Sequence, residues 1–269
     1  MRRAVLLPLF VLPIALANSA ELKTPETVVP ARIREEPGVN QFTTPSIEVV
    51  MQALHRLRPV PYEQVARELT ARNPGDRARL ALSTGGIIAD GLLAVIAEKQ
   101  SRIEPIGRAL LRQAKGLGVG DHVTRHSKSI LEKAAKKDWP GVRAGLIGAQ
   151  RDVEKGMLAL RDEEIAHLVA LGGWWRGLEI SSGIIAGRYS PENAALLIQP
   201  GVLDYFAGRV STLNPTFKKS KLWAGLSANL AEVRKLAVKQ GGAPPTADEV
   251  RAISALARAT NDLIATPSD

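Results

Sequence analysis

The chain has 269 residues, no cysteine, 4% aromatic residues and a formal net charge of +9. Without cysteine it has no disulfide framework, no lipidated N-terminal cysteine and no thiolate chemistry. Its length is sufficient for a packed core in one large or two small domains. Frequent Ala, Leu, Arg and Glu, with little alternation of β-branched residues, favour helices over strands.

The N-terminus has the pattern of a cleaved secretory signal peptide. Arg2 and Arg3 form a short positive region, residues 4–17 are almost wholly apolar, and an A-x-A cleavage signal ends at Ala17. The apolar run is shorter than the roughly 20 residues of a membrane-spanning helix. We therefore predict a signal peptide over 1–19, cut at one of several small residues near its end. The mature chain is then periplasmic or secreted and is not an integral membrane protein.

The rest of the chain predicts an all-α fold, an antiparallel bundle or array of roughly ten helices. Residues 20–44 contain three prolines without periodic apolar residues, which is typical of an extended or disordered lead-in. Residues 45–269 are predicted to form one helical domain, with a core at 76–199 and a C-terminal hairpin at 219–264. The predicted helices cover residues 46–58, 61–72, 76–99, 102–116, 121–137, 140–171, 174–187, 191–199, 201–212, 219–240 and 247–264.

Glycines and a capping motif set several of these boundaries. Gly172 and Gly173 are predicted to bend or end the long helix that starts at residue 140. The segment 241–245 is predicted to close a hairpin, because it contains two glycines and two prolines. Thr246 with Glu249 then forms a capping box for the last helix.

Two segments, 80–97 and 168–186, are unusually apolar and are predicted to be central buried helices rather than membrane spans. Their charged residues are Asp90 in the first, and Arg176 and Glu179 in the second. If the helices pack together, Asp90 pairs with Arg176, and Glu179 lies three residues further along the same helix. The pair either fixes helix register or forms a polar ligand pocket in the core.

The two apolar segments also resemble each other. In both 84–89 and 181–186, two small residues and a glycine are followed by Ile-Ile-Ala. The string Ala-Leu-Leu occurs at 109–111 and again at 195–197. A duplicated helical hairpin and chance similarity in an Ala/Leu-rich chain are both open. In either case the small residues predict close approach of two helix backbones.

Two histidine motifs are candidate ligand or metal positions. Glu164 falls at the centre of the apolar face of the predicted helix 140–171, with His167 at its edge in a Glu-x-x-His spacing. A buried carboxylate must be paired or hydrogen-bonded, and the motif occurs only once, so we favour a structural pair over a metal site. His122 and His126 lie one turn apart, but they stand in a basic stretch without a third ligand, which favours an exposed helix start.

The excess positive charge is concentrated in one stretch. Residues 99–137 contain ten basic and three acidic residues. The residues here that we predict to contact an anionic surface are Arg108, Arg112, Lys115, Arg125 and Lys128. Lipid head groups, envelope polysaccharides or acidic envelope proteins are the expected partners. Nucleic acid is not, because no aromatics are interleaved for base stacking. The alternative is an ordinary solvated face.

The sequence contains no nucleophile elbow, zinc-protease, phosphate-loop or haem motif, and no catalytic residue, metal or cofactor is predicted. We therefore expect an exported, non-enzymatic binding or scaffold protein. The second hypothesis is a helical bundle that binds a small ligand or metal through Glu164 and His167, with Asp90, Arg176 and Glu179 as further ligand residues. An enzyme of another type is the third.

Overall fold

The computed structural model describes residues 48–69, 73–213 and 220–266. Within these ranges the chain is helical without strands, which confirms the all-α prediction. The predicted signal peptide, the lead-in and the start of the first helix lie outside the described residues. The helices are α1 (Glu48–Arg56), α2 (Tyr62–Val65), α3 (Arg77–Ile96), α4 (Gln100–Leu117), α5 (Gly120–Ala135), α6 (Trp139–Ala159), α7 (Glu163–Gly187), α8 (Pro191–Ala194), α9 (Pro200–Thr212), α10 (Lys221–Ala237) and α11 (Ala247–Ala265).

Helices α3 and α7 pack against each other at the centre of the described structure and are buried over most of their lengths. A Cβ atom at Gly85 would lie 1.9 Å from the carbonyl oxygen of Val169, and one at Gly172 would lie 1.9 Å from that of Leu82. Only hydrogen fits at these two positions. The predicted close approach of the two helix backbones is therefore confirmed.

Within the described ranges, α3 is the helix that is long and apolar enough to cross a membrane by length and composition. However, 83% of its apolar window is buried inside the protein. Because α4, α6, α7 and α11 all pack against it, α3 is a core helix of this fold. This agrees with the prediction that both apolar segments are central and buried.

The predicted end of a helix at Gly172 and Gly173 is wrong, since both residues lie inside α7. The chain turns instead between α6 and α7, where Arg161 has φ = 56° and the Asp162 N–H donates to the Met157 carbonyl at 2.9 Å. Glycine pairs are a common site of helix kinks. Here Gly172 lies against the α3 backbone, and tight packing keeps the helix continuous.

The predicted helix 61–72 is also wrong in part, because Tyr62–Val65 is the only helical stretch among its described residues, 61–69. Ala66 is extended, with ψ = 148°, and residues 66–69 run on without regular structure. The Val65 carbonyl accepts a hydrogen bond from Arg176 at 2.6 Å, and Arg67 reaches α7 and α11. These long-range polar contacts replace the bonds of a further helical turn.

In the C-terminal part of the chain, α10 packs against α11, and α11 packs against α7. Gly241 and Gly242 have φ = 84° and 73°, values that favour glycine, in the connection between the two helices. Thr246 and Glu249 form the predicted capping box. No second copy of the α3–α4 hairpin follows α7 in the described residues, because residues 195–197 form a single 3-10 turn rather than a long helix.

Candidate functional site

A cluster of charged residues lies where α3 and α7 meet, and it contains the predicted pair. Arg176 Nε donates to Asp90 Oδ1 at 2.8 Å, and its Nη1 donates to Glu179 Oε2 at 2.9 Å. Arg176 and Glu179 are buried, and Asp90 is almost so. The geometry of the Asp90–Arg176–Glu179 prediction is therefore confirmed.

The sequence did not indicate a fourth member, Arg67. Its guanidinium donates to both carboxylate oxygens of Glu179 at 2.7–3.0 Å and to Asp262 of α11 at 2.7 Å. The charge cluster, defined as Arg67, Asp90, Arg176 and Glu179, thus connects the segment after α2 with α3, α7 and α11. Arg67 lay in a segment predicted as helix, and residue spacing alone carries no signal for this contact.

The cluster borders a pocket of about 280 Å³ lined also by Ser83 and Asn261. All three guanidinium nitrogens of Arg176 already donate to protein acceptors, the third being the Val65 carbonyl. Burial raises the pKa of Asp90 and outweighs the lowering effect of Arg176. With its cations paired internally, the charge cluster has the geometry of a contact that fixes the positions of four chain segments.

Glu164 and His167 do not form the predicted buried motif. Glu164 is exposed in the first turn of α7, because the break at residues 160–162 changes the helical phase on which the prediction relied. His167 is half-buried and its Nδ1 shares a 2.7 Å hydrogen bond with the hydroxyl of Tyr205. Burial, followed by the nearby charge of Arg209, lowers the pKa of His167.

His122 and His126 pack along α6 rather than lying fully exposed at the start of α5. His126 Nε2 lies 3.0 Å from Asp152 Oδ2, and this bond lowers the pKa of Asp152. His122 Nδ1 accepts from Arg125 at 2.8 Å, and its ring lies above Gly156. The expected exposed helix start is therefore only partly correct, since both imidazoles are half-buried.

The predicted basic surface lies on α4 and α5, which pack as an antiparallel hairpin that we call the basic hairpin (residues 100–135). Four of its five predicted residues are exposed and Arg112 is half-buried. Arg108 and Lys115 are seven residues apart and so share one face of α4. Lys128 of α5 is 89% exposed, with Glu132 at 3.9 Å.

An apolar groove of about 210 Å³ runs between the two helices of this hairpin. We call it the α4–α5 groove. The residues that line it are mainly aliphatic and include Gly91, Ile106, Gly107, Leu110, Ile130 and Leu131. Among the lining residues, Glu104, Arg108 and Leu131 are exposed and so mark its mouth. A mid-helix glycine such as Gly107 costs about 1 kcal/mol relative to alanine. A glycine at this position of the helix is the sequence feature that points to the groove.

Exposed leucines are concentrated around the same hairpin. The large hydrophobic side chains exposed in the described part of the chain are those of Leu131, Leu158, Leu160 and Tyr189. Leu131 is 42% exposed on α5, whereas Leu158 and Leu160 are each 54% exposed at the end of α6. A Cβ at Gly118, in the α4–α5 turn, would lie 3.7 Å from Leu160. Leu131 therefore lies on the basic hairpin itself, and Leu160 lies beside its α4–α5 turn.

The described residues contain no group of three or more His, Asp or Glu side chains placed to hold a metal ion. Neither a scan against protein-family models nor searches of curated proteins and of solved structures find a match for this chain. The described residues do define one class of surface, a basic helical hairpin with exposed leucines and an apolar groove.

Proposed function

We propose that this chain is an exported, non-enzymatic protein that binds an anionic lipid surface through the basic hairpin. The observation that carries the proposal is the exposure of Leu131, Leu158 and Leu160 beside a hairpin with excess positive charge. A basic helical surface flanked by apolar side chains is typical of proteins that lie on membranes. The leucines favour lipid over polysaccharide, which offers no apolar phase to receive them.

Each basic side chain near an anionic bilayer contributes about 1 kcal/mol, and salt weakens this attraction. The leucines add a contribution that salt does not screen, because transfer of apolar area out of water is not electrostatic. We therefore expect binding to phosphatidylglycerol vesicles that weakens at physiological salt without vanishing. Binding to neutral phosphatidylcholine vesicles should be far weaker.

Vesicle co-sedimentation of two charge-matched variants tests this proposal. The hairpin variant replaces four exposed basic residues by glutamine, at Arg108, Lys115, Arg125 and Lys128. The control variant makes the same change at four exposed basic residues of α10 and α11, namely Lys221, Arg234, Lys235 and Arg251. Both variants lose the same charge, so a general effect of net charge cancels between them.

At low salt the hairpin variant should bind up to about 10³-fold more weakly than the wild type, since four contributions of about 1 kcal/mol are removed. The control variant should stay within a few-fold of the wild type. Leu158→Ser with Leu160→Ser should keep the low-salt binding in part and abolish the salt-resistant remainder. Equal losses in the two charge variants, or no binding to anionic vesicles at low salt, would refute the proposal.

Export is a separate element of the proposal, supported by Arg2, Arg3 and the apolar run 4–17. Expression in a bacterium with a C-terminal tag, followed by fractionation and intact mass measurement, checks it. The expected product is periplasmic or secreted, and is shortened by cleavage after Ala17, Ser19 or Ala20. A cytosolic product of full mass would contradict export and leave the lipid-binding measurements unaffected.

A further inference from the structure

The α4–α5 groove is an apolar space between two helices that carry excess positive charge. Its floor is formed by Gly91 of α3 and Leu146 of α6, and its walls by aliphatic side chains of α4 and α5. A Cβ at Gly107 would meet no atom within 4 Å, so the wall is open at this residue. An engineered cavity of about 150 Å³ admits benzene, with six carbons. By the same ratio, a space of about 210 Å³ holds roughly eight carbons.

The mouth of the groove combines this apolar interior with charge. Arg108 pairs with Glu104 at the mouth, and both side chains are nearly two-thirds exposed. An exposed ion pair contributes little to stability, so the Arg108 guanidinium can change partner at small cost. Lys128 follows Ser127, which lines the groove, and adds a second cation nearby.

We propose that this groove binds the hydrocarbon chain of a free fatty acid of medium length, with the carboxylate at Arg108. The volume fits one chain and not the two chains of a phospholipid, and the surrounding basic residues complement an anionic head. The inference depends on the proposed function for the choice of an anionic amphiphile. It goes further in assigning a soluble ligand and a defined site.

Isothermal titration of the wild-type chain with monomeric hexanoate, octanoate and decanoate tests the size of the site. Affinity should rise about fourfold for each added methylene and level off when the chain exceeds roughly eight carbons. No detectable binding would overturn the proposal. A gain in affinity that stays the same for each methylene group in longer acids would also overturn it, because an apolar surface without a size limit behaves in this way.

Two glycine variants test the location. Gly107→Leu places a side chain in the open wall of the groove, whereas Gly208→Leu adds the same side chain at an exposed position of α9 with no neighbour within 4 Å. Gly107→Leu should weaken octanoate binding at least tenfold, and Gly208→Leu should leave it unchanged. Circular dichroism checks folding, and Gly107→Ala, which leaves most of the space open, should still bind. Equal affinities in the two leucine variants would place the ligand elsewhere.

The head-group assignment has its own test. Arg108→Gln should weaken octanoate binding several-fold, and Glu104→Gln should strengthen it, because Glu104 competes for the same guanidinium. Neither change should alter the affinity for octan-1-ol, which carries no charge. Octanoate affinity that ignores both substitutions would exclude Arg108 as the carboxylate partner.

Vesicle binding of Gly107→Leu separates this inference from the proposed function. Gly107→Leu should lose octanoate binding and keep vesicle binding. In the wild-type chain, vesicle binding without octanoate binding would refute the groove proposal alone, and octanoate binding without vesicle binding would refute the surface proposal alone. Sedimentation velocity checks another occupant. A wild-type dimer that Gly107→Leu dissociates would assign the groove to a second copy of the chain and overturn the fatty-acid proposal.

Discussion

Substitution of Gly85 by alanine directly tests the packing of α3 on α7. The added Cβ would lie 1.9 Å from the carbonyl oxygen of Val169, and real Cβ contacts are essentially never shorter than 3.0 Å. The two backbones must therefore separate locally by about 1 Å. No flexible side chain can absorb this displacement, because the atoms in conflict belong to the main chain of a second buried helix.

Overpacking of this kind costs about 1–3 kcal/mol, and the upper part of the range applies because backbone must move. The better helix propensity of alanine returns about 0.5–1 kcal/mol. We expect Gly85→Ala to lower the free energy of unfolding by about 2 kcal/mol. Gly107→Ala, in open space on α4, should raise it by about 0.5–1 kcal/mol.

Urea denaturation followed by circular dichroism measures both values. The slope of the unfolding free energy against urea concentration should be the same in each variant as in the wild type, so that the two free energies can be compared. Gly172→Ala should behave like Gly85→Ala, since its Cβ would meet the Leu82 carbonyl at the same distance. The double variant should lose less than the sum, because helices that have already separated leave room for the second methyl group. A Gly85→Ala protein as stable as the wild type would refute this description of the core.

Two further substitutions test the polar contacts. Arg176→Met should lower the free energy of unfolding by about 3–5 kcal/mol, because it leaves Asp90 without its cation and removes one of the two guanidinium groups bound to the buried Glu179. Adding Asp90→Asn should recover part of this loss, and a recovery of zero in urea denaturation would show that the two residues are not coupled. Hydrogen bonds from Lys239 and from the Thr246 N–H lower the pKa of Glu249 from 4.5 to about 2. Its stabilising effect is therefore complete above about pH 4.5 and lost as the pH falls towards 2, and Glu249→Gln should flatten the stability curve in this window. Parallel acid losses in the two proteins would contradict that assignment.

Composition and periodicity were sufficient to predict the all-α fold and most of its helices, because helix signals are local. The capping box at Thr246 and the glycine turn before it are contacts within a few residues, and both are confirmed. The apolar segments and their three charged residues predicted the pairing of Asp90 with Arg176 for a related reason. A charge inside a buried helix must find an opposite charge, and each segment offered few candidates.

The errors arose where a distant contact overrides a local signal. The sequence pattern predicts a helix breaker at Gly172, yet this residue lies inside α7 and packs against the α3 backbone. This error extended the preceding helix too far and placed Glu164 on the wrong face. Arg67 was missed because its contacts with Glu179 and Asp262 are more than 100 residues distant in sequence. The groove beside Gly107 depends on four helices and has no contiguous sequence pattern.

Hydrogen exchange of the backbone amides, with and without anionic vesicles, tests most directly whether the basic hairpin is the lipid-binding surface. Phosphatidylglycerol vesicles should slow exchange in α4, in α5 and at the end of α6, where Leu158 and Leu160 are exposed. Phosphatidylcholine vesicles should leave the same peptides unchanged. Protection confined to α10 and α11, or equal protection by neutral and anionic vesicles, would contradict binding through this hairpin.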